Sequence, residues 1–595
     1  MAKEGKRPFL VSGMQEFVSD EGDAPCYADT FVAHLFDMAG SRRDGDKIYP
    51  PFCSTVSEYS KLYEQVRSRH ARYLEVLAPR LNAVNQVDYS KDFWSRSLGM
   101  HFERLISGLY QAFLTFEYYF DISIHARKIL SIASRYTPVD PDELRWFLEH
   151  RPFGREQFFA EYIDEFYPGA LNEQNIQYKS DYQVRQIRGY TGRDPTVGIM
   201  GAWFSEEASQ RLLRESGGQV DFIGFNRLVI EATDRLELSK RLELSQSFPK
   251  ADRFDRYFFR CLKTLLPKFF VEDFKQHCDS IMSQFSDVKN LKYIVSEIWI
   301  GEGVEPVAAA LLKEQRSVEL IYNEHNYVEY PAAVSFSPRW AQLCDVYAAH
   351  GTYADKIGQN AVSTGLLYDF LSKETLPLED PCFDVAYFAV LNFPYDAELT
   401  GSTIQSGFGQ FAKGKQTFEK SFFEHLSRPT KERMHYRGYP NSAYGKYWES
   451  AYRTEELLKD SLSGVEIADF NLSGQETMAR ASLVVLGYFG TSTLEAFKIN
   501  VPTVILIYRF DEVFEHIQSS HLDSLRRQGI IQSDPAAAAH FVESILDDPR
   551  AWWESTEVQG AKDEFVQHHT GDPERMIQFL LQTAETGEVD FKRWR

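Results

Sequence analysis

The chain has 595 residues, of which 43% are hydrophobic and 14% aromatic, and its 65 basic and 86 acidic side chains give a formal net charge of −21. This length and apolar content are enough for more than one core, so we expect two globular domains. An acidic chain without a long basic run is unsuited to binding nucleic acid, which leaves a small molecule or a sugar as the expected substrate class.

The spacing of the cysteines and the length of the apolar runs indicate the cellular compartment in which the protein is expected. The six cysteines have neither CxxC nor Cys/His ligand spacing, which argues against structural zinc and predicts reduced thiols without disulfides: Cys26, Cys53, Cys261, Cys278, Cys344 and Cys382. No run approaches about 18 uncharged apolar residues, and the first residues lack the apolar stretch of a signal peptide. We therefore expect a cytoplasmic protein.

The last five residues, FKRWR, place Lys592, Arg593 and Arg595 beside Trp594. Such a group can touch anionic lipid, which would make the protein peripheral to the inner face of the plasma membrane. A solvated tail is the simpler interpretation.

The first part of the chain alternates between predicted strands and helices. A strand-like run at Phe9–Ser12 comes first, and apolar residues at spacings of three and four predict helices from about residue 57 to 148. Five strand-like runs follow, separated by helical or loop segments: Thr196–Phe204, Val220–Phe225, Tyr293–Ile300, Val318–Asn326 and Asp345–Gly351. This order predicts a parallel sheet with crossover helices.

The alternation restarts after a polar stretch near residue 375, with strand-like runs at Cys382–Asp396, Ser482–Phe489 and Pro502–Tyr508. We therefore predict an α/β protein of two Rossmann-like domains that face a cleft, with ligands at the carboxyl ends of the strands. The predicted domains are residues 1–378, with a large helical insertion at about 55–150, and residues 379–570.

The segment LGYFGTSTLEAFKINVPTVILI (Leu486–Ile507) has the pattern of a strand, a turn, a helix and a strand. A helix that begins at Ser492 or Thr493 presents unpaired backbone N–H groups and the positive end of its dipole, and Gly490 lets the backbone approach a ligand. The turn therefore predicts a phosphate site.

A second interpretation of this turn needs no ligand. Ser492 and Glu495 have the S-x-x-E spacing of a capping box, in which side chains satisfy the first N–H groups of a helix. Both interpretations can hold, because a cap leaves other N–H groups for phosphate. Glu495 would then face a ribose, since its charge is unfavourable beside the phosphate.

Two parts of the sequence resemble a known family. The run LVVLGYFGTSTLEAFKINVPTVIL, with the following LRRQGIIQSDPAAAAHFVESILDDPRAWWESTEVQGAKDEF, resembles the C-terminal half of a family of transferases from bacterial O-antigen and surface-polysaccharide loci. The run VDYSKDFWSRSLGMHFERLI, with Tyr89, Ser90, Phe93, Trp94 and Gly99, resembles its early signature. The family is similar in pattern to GT-B glycosyltransferases, and more distantly to retaining Kdo transferases, whose donor is a CMP-activated ulosonic acid.

The resemblance implies a GT-B-like fold in which Thr491, Ser492 and Thr493 hold the donor phosphate. It also implies that residues 571–595 form a last helix and tail that pack back on the first domain. Where the family commonly has a Gln-His-Gly run, this chain has IYNEHNYVEY, which keeps His325 and departs at Glu324 and Asn326.

Three side chains are candidate catalytic groups. Glu324 and His325 follow the apolar run VELIY, so they are expected at a strand's carboxyl end as a base or a ligand-binding pair. Glu302 lies in a Gly-rich turn after the strand that contains Glu297, where a retaining transferase could place a carboxylate nucleophile. The alternatives are a solvated Glu-His pair and a helix-start acid.

The segment MHYRGYPNSAYGKYW (Met434–Trp448) supplies further candidates for nucleotide binding. Arg437 can form a bidentate contact with a phosphate or a sugar carboxylate, Tyr439 or Tyr436 can stack on a base, and His435 lies beside them. The alternative is a surface loop with an Arg–acid pair.

Two D-x-D sequences, Asp44-Gly45-Asp46 and Asp140-Pro141-Asp142, have the spacing with which some transferases hold a divalent cation. The first lies in a polar turn and the second opens a predicted helix, so neither ends a strand. We therefore expect no metal and no other cofactor.

These features together predict a metal-independent glycosyltransferase of surface-polysaccharide assembly, for O-antigen or capsule. By the resemblance, it would transfer a sugar from a nucleotide donor, best a CMP-linked ulosonic or nonulosonic acid such as Kdo, to a glycan or lipid-linked glycan. Two alternatives stay open, since a fold does not determine a function: a nucleotide-sugar epimerase or hydrolase, and a non-catalytic scaffold subunit of an assembly complex.

Overall fold

The computed structural model describes residues 7–11, 23–27, 47–48, 56–123, 134–140, 143–144, 152–166, 177–179, 184–189, 194–200, 204–223, 226–231, 236–296, 305–324, 341–352, 354–367, 381–389, 409–438, 458–468, 471–514 and 520–595. Several residues singled out above lie outside this part of the chain: Asp44, Asp46, Asp142, Glu297, Glu302, His325 and Tyr439.

A six-stranded parallel sheet organises the first half of the chain. Its strands stand in the order β8-β7-β10-β11-β12-β13, and every neighbouring pair is parallel. Numbered along the chain this is the order 2-1-3-4-5-6, which reverses between β7 and β10. The strands are β7 Val197–Ile199, β8 Val220–Phe222, β10 Tyr293–Ser296, β11 Glu319–Asn323, β12 Val346–Ala349 and β13 Ala361–Ser363.

A second six-stranded parallel sheet follows, in the order β16-β15-β14-β17-β18-β19. This is the 3-2-1-4-5-6 order of the Rossmann fold, and it reverses between β14 and β17. The strands are β14 Phe383–Phe388, β15 Met434–Arg437, β16 Glu466–Ile467, β17 Ala481–Leu486, β18 Thr503–Leu506 and β19 Ile531–Gln532. The prediction of two Rossmann-like α/β domains is confirmed.

Seven further strands lie outside the two large sheets in the described part of the chain. Three form a parallel sheet, two a parallel pair and two an antiparallel pair: β1 Arg7–Val11, β2 Asp23–Tyr27 and β3 Lys47–Ile48; β4 Ser134–Tyr136 and β5 Gln177–Lys179; β6 Val184–Gly189 and β9 Asn226–Glu231. The strand predicted at Phe9–Ser12 corresponds to β1.

Helices connect the strands of both sheets. Those up to the end of the first sheet are α1 Val56–Asn85, α2 Lys91–Ser123, α3 Pro152–Phe166, α4 Glu206–Glu215, α5 Leu238–Leu244, α6 Arg253–Leu265, α7 Lys268–Val271, α8 Phe274–Gln284, α9 Glu305–Arg316 and α10 Ala354–Ile357. Those that follow are α11 Gly409–His425, α12 Arg428–Lys431, α13 Gly474–Ala479, α14 Thr491–Ile499, α15 Phe510–Val513, α16 Ser520–Arg527, α17 Pro535–Ile545, α18 Pro549–Trp553, α19 Thr556–Thr570, α20 Pro573–Thr586 and α21 Phe591–Trp594.

The early family signature is a structural link between α1 and α2. Asn82 on α1 donates to the carbonyl of Tyr89 at 2.8 Å, and its own oxygen accepts from the Trp94 indole at 2.8 Å. The hydroxyl of Ser90 accepts from the backbone N–H of Phe93 at 3.0 Å. These bonds fix the connection between two long helices, so the signature contributes to packing.

The C-terminal helices pack on the first sheet. Met576, Phe579 and Leu580 of α20 are fully buried in the same apolar cluster as β7, β10 and β12. Trp594 is also buried, with its ring edge against Phe579. Trp594 therefore belongs to this core, whereas Lys592, Arg593 and Arg595 are exposed, so only the basic residues of the predicted tail are solvated.

The crossing from the second sheet to α20 depends on one glycine. Gly571 has φ of +57°, and a Cβ there would collide with the carbonyl oxygens of His350 and Thr364 in the first unit. A glycine is therefore needed both for the left-handed backbone and for the close approach. No helix in the described part of the chain is long and apolar enough to cross a membrane.

Candidate functional site

The turn after β17 lies at the point where the strand order of the second sheet reverses. Leu486 and Phe388 are paired at the ends of β17 and β14, and the N–H of Gly487 donates to the carbonyl of Phe388 at 2.8 Å. A Cβ on Gly487 would lie 2.6 Å from the hydroxyl of Tyr387, so the approach requires glycine. Open α/β sheets bind ligands at such reversal points.

Helix α14 begins at Thr491, earlier than predicted, with Gly490 as its N-cap residue in extended conformation. Ser492 therefore lies inside the helix and cannot cap it, so the predicted Ser492–Glu495 capping box is wrong. Instead, the N–H of Gly490 points to the Thr493 hydroxyl at 3.4 Å, and the N–H of Thr493 donates to the Gly490 carbonyl at 2.8 Å.

Thr493 is fully buried by this arrangement and forms part of the helix start. A glycine N-cap has no side chain that could accept from the first N–H groups of the helix, and no side-chain cap is formed. The N–H groups of Thr491 and Ser492 therefore donate no hydrogen bond to an N-cap side chain, and they lie at the positive end of a nine-residue helix. This is the geometry that attracts a phosphate oxygen.

Arg437 reaches this turn from the neighbouring strand end. It is the last residue of β15, where it pairs with Phe388, and its guanidinium donates to the Thr477 hydroxyl at 3.3 Å. Burial lowers the pKa of Arg437, and the nearby Tyr488 counteracts this shift. Tyr488 in turn shares a hydrogen bond with the Ser492 hydroxyl. Arg437 and the turn therefore belong to one site.

Glu495 lies on α14, one turn after the helix start, and contacts α13. Its carboxylate accepts from Gln475 of α13 at 3.2 Å. Burial raises the pKa of Glu495, against hydrogen bonds from Gln475 and Ser492 that lower it. The carboxylate is thus held by neighbouring side chains at the helix that follows the turn.

His435 is less closely connected to the turn. Its Nδ1 lies 3.4 Å from the carboxylate of Glu466 on β16, and its ring packs on Phe383 with centroids 4.5 Å apart. It pairs with Ala386, two residues before the end of β14. These contacts place His435 between β14 and β16, below the strand ends that carry Arg437.

Glu324 lies at the carboxyl edge of the first sheet, as predicted for the residue after β11. Its side chain is 1% exposed, and its two oxygens accept from the Tyr347 hydroxyl at 3.1 Å and from the backbone N–H of His350 at 3.0 Å. The carboxylate therefore ties the ends of β11 and β12 together. A solvated Glu324, the alternative considered above, is excluded.

Two other polar side chains at this edge were not predicted. Ser296 ends β10, next to the reversal between β7 and β10, and Asn323 ends β11. Both are 2% exposed, and within the described residues neither the Ser296 hydroxyl nor the Asn323 side-chain oxygen has a hydrogen-bond partner. A buried polar atom without a partner is costly, which makes these two side chains candidates for contact with a ligand.

The described part of the second D-x-D sequence has a structural role. Asp140 accepts from the backbone N–H of Glu143 at 3.0 Å, as expected for a residue that opens a helical turn. Within the residues described by the structure, no group of three acidic, His or Cys side chains is arranged to hold a metal ion.

Comparison with known proteins identifies a family. The family model described as LIC12162 family transferase matches residues 39–583. A search of curated proteins finds no match.

Similar solved structures include a candidate UDP-N-acetylglucosamine 2-epimerase from Listeria monocytogenes, at 11% identity and TM-score 0.35, covering 66% of this chain and 96% of the other. MurG from Acinetobacter baumannii is similar at 12% identity and TM-score 0.33, with 66% and 99% covered. A glycosyltransferase from Rickettsia africae is similar at 11% identity and TM-score 0.33, with 67% and 99% covered. Likenesses of this size do not indicate what the present chain does.

Proposed function

Because the chain belongs to the LIC12162 family of transferases, we propose that it is a GT-B-type glycosyltransferase that moves a sugar from a nucleotide donor to a glycan acceptor. The observation that carries this proposal is the uncapped start of α14 at the reversal point of a Rossmann sheet, with Arg437 at the adjoining strand end. A nucleotide phosphate fits both the N–H groups and the cation.

In this reaction an acceptor hydroxyl attacks the anomeric carbon, and the nucleotide leaves with the bonding electrons on its phosphate oxygen. The N–H groups of Thr491 and Ser492 and the guanidinium of Arg437 stabilise that charge as it develops. This set includes its own positive charge and needs no metal ion, which supports a metal-independent mechanism. The N–H donors are fixed by the helix before the substrate arrives, so little reorganisation is required.

The acceptor is proposed to bind at the carboxyl edge of the first sheet. The side-chain oxygens of Ser296 and Asn323, which have no hydrogen-bond partner among the described residues, suit the hydroxyl groups of a sugar, which donate as well as accept. Glu324 is held at the same edge and is proposed to orient or deprotonate the acceptor hydroxyl. His325 and Glu302 remain candidate catalytic groups that act at the reacting carbon.

The finer identity of the substrates rests on the resemblance. It favours a CMP-activated ulosonic acid such as Kdo as donor, and a glycan or lipid-linked glycan of O-antigen or capsule assembly as acceptor. A lipid-linked acceptor would place the enzyme in the cytoplasm at the inner face of the plasma membrane.

The test is turnover of CMP-Kdo by the purified protein, with and without a glycan acceptor from a surface polysaccharide. Transfer that depends on the acceptor supports the proposal. Release of free sugar to water at the same rate with and without acceptor would favour a hydrolase, and conversion of the donor into a stereoisomer would favour an epimerase.

A further inference from the structure

Lys415 is a buried lysine in the second unit of the chain. It lies on α11 and is 5% exposed, and its ammonium nitrogen has no hydrogen-bond partner within the described residues. Lysines are almost never buried in this way unless they are paired, because removing an ammonium from water costs several kcal/mol. This position therefore needs a physical explanation.

The groups around Lys415 form a small polar cluster in an otherwise apolar layer. Glu419, one helical turn further, is the charged group that acts on Lys415, and it accepts from the Tyr436 hydroxyl at 3.4 Å. Tyr436 stacks on Tyr387, with ring centroids 5.3 Å apart. Gly414, the residue before Lys415, packs against the hydroxyl of Tyr508, which lies just beyond the end of β18.

This cluster is connected to the proposed donor site through Tyr387. The Tyr387 hydroxyl is close to Glu419 and also to Gly487, the first residue of the turn. Gly414, next to Lys415, lies against Tyr508, which follows the carboxyl end of β18, so this part of α11 lies near the carboxyl edge of the sheet. Lys415 is thus linked to the turn through Glu419 and Tyr387.

The protonation state of the Lys415 amine depends on its burial and on the charges nearby. Burial lowers the pKa of Lys415 to about 7, against the opposing effect of Glu419. An anion that binds nearby favours the charged form and raises the pKa again. Near neutral pH the amine can therefore change its protonation state in response to a ligand.

We propose that Lys415 is a second cation of the donor site, which takes up a proton when a nucleotide phosphate binds at the turn of residues 487–493. This inference rests on the proposed donor site and adds that nucleotide binding is coupled to protonation. Within the described residues, Glu419 and the hydroxyls of Tyr387, Tyr436 and Tyr508 are the ionisable groups in the cluster around Lys415.

The experiment is calorimetric titration of the intact protein with the nucleotide that binds best among CMP, UDP, GDP, ADP and TDP. The titration is repeated in two buffers of different ionisation enthalpy, at a pH about one unit above the pKa of Lys415. The dependence of the heat on the buffer gives the number of protons taken up. Wild type should take up close to one proton, and its affinity should fall by up to about tenfold per pH unit above that pKa.

Three variants make the test specific. Lys415→Met keeps the length of the side chain and should abolish proton uptake while binding persists more weakly. Glu419→Gln should retain uptake but shift its maximum to lower pH, because it removes the charge that favours the ammonium. Lys420→Met is the matched control, since Lys420 lies on the same helix at 54% exposure and pairs with Glu424; it should leave uptake unchanged.

Equal proton uptake by wild type and Lys415→Met would overturn the inference and leave the donor site intact. Binding without any proton uptake in wild type would do the same. A protein that binds none of the five nucleotides would overturn the donor site and the inference with it.

Discussion

The backbone N–H of Gly487 donates to the carbonyl of Phe388 at 2.8 Å, so the turn that leaves β17 stays against the end of β14. The two strands are the ones between which the sheet reverses direction. This bond therefore fixes the first residue of the turn at the site where helix α14 and Arg437 converge.

Gly487→Ala should disrupt this relationship. The added methyl group would lie 2.6 Å from the Tyr387 hydroxyl, and overpacking of this kind costs about 1–3 kcal/mol. We expect a lower melting temperature and weaker nucleotide binding, measured by thermal unfolding and titration. Gly560→Ala is the control, because a Cβ at Gly560 on α19 meets nothing within 4 Å. It should stabilise the protein by about 0.5–1 kcal/mol and leave binding unchanged.

Arg437→Ala should weaken nucleotide binding more than it lowers stability. Charged hydrogen bonds contribute about 1.5–3 kcal/mol, so we expect roughly a ten- to hundredfold increase in Kd for the donor nucleotide. Arg437→Lys should recover part of this affinity through its charge. Arg433→Ala is the control, because Arg433 lies just before β15 and forms ion pairs with Asp384 and Asp547. Its loss should leave Kd unchanged. A similar Kd for wild type and Arg437→Ala would make Arg437 structural.

The sequence predicts the helix start less well than it predicts the strands. Apolar runs located eight of the twelve strands in the two large sheets and missed β13, β15, β16 and β19. Of these, β15, with sequence MHYR, and β16, with only two residues, carry no apolar pattern. The spacing S-x-x-E occurs twice near this site. Ser473 and Glu476 do form a capping box on α13, but Ser492 and Glu495 do not, because the N-cap of α14 is the extended Gly490, two residues before Ser492.

The site residues that sequence analysis missed depend on tertiary contacts. Thr477 and Gln475 come from α13, and only the parallel order of β15, β14 and β17 brings them beside Arg437 and Glu495. Lys415 belongs to an ordinary amphipathic pattern, GKQTFEK. Its burial follows from packing of α11 on the second sheet, and no local signal marks it.

Ser296→Ala should separate acceptor binding from stability. Its hydroxyl has no partner in the described structure, so removing it should leave the melting temperature unchanged or higher, while the KM for acceptor rises and the KM for donor does not. Thr503→Val is the matched control, because the buried Thr503 hydroxyl donates to Val501 at 2.7 Å. It should cost about 0.5–1.5 kcal/mol without changing either KM. Unchanged acceptor KM in Ser296→Ala would exclude this edge from acceptor binding.

The pH dependence of stability should depend on Lys415. The pKa of its amine is lowered to about 7 in the folded protein, whereas an unfolded lysine stays charged up to about 10.4. Between these values the unfolded chain binds more protons, so stability rises with pH. Lys415→Met should therefore raise the melting temperature most below about pH 7, and this gain should shrink as the pH increases. Lys420→Met should show no such trend; a pH-independent gain in Lys415→Met would contradict the shifted pKa.

The central claim is that the second unit binds the phosphate of a nucleotide. It is tested most directly by the melting temperature of the purified protein with CMP, UDP, GDP, ADP or TDP, each with and without magnesium, since a ligand of the native state raises apparent stability. We predict selective stabilisation by CMP that needs no metal and is not reduced by a chelator. Stabilisation by another nucleotide instead of CMP would change the proposed identity of the donor, and a requirement for magnesium would contradict the metal-independent mechanism. No stabilisation by any of the five would contradict the account and favour a scaffold subunit.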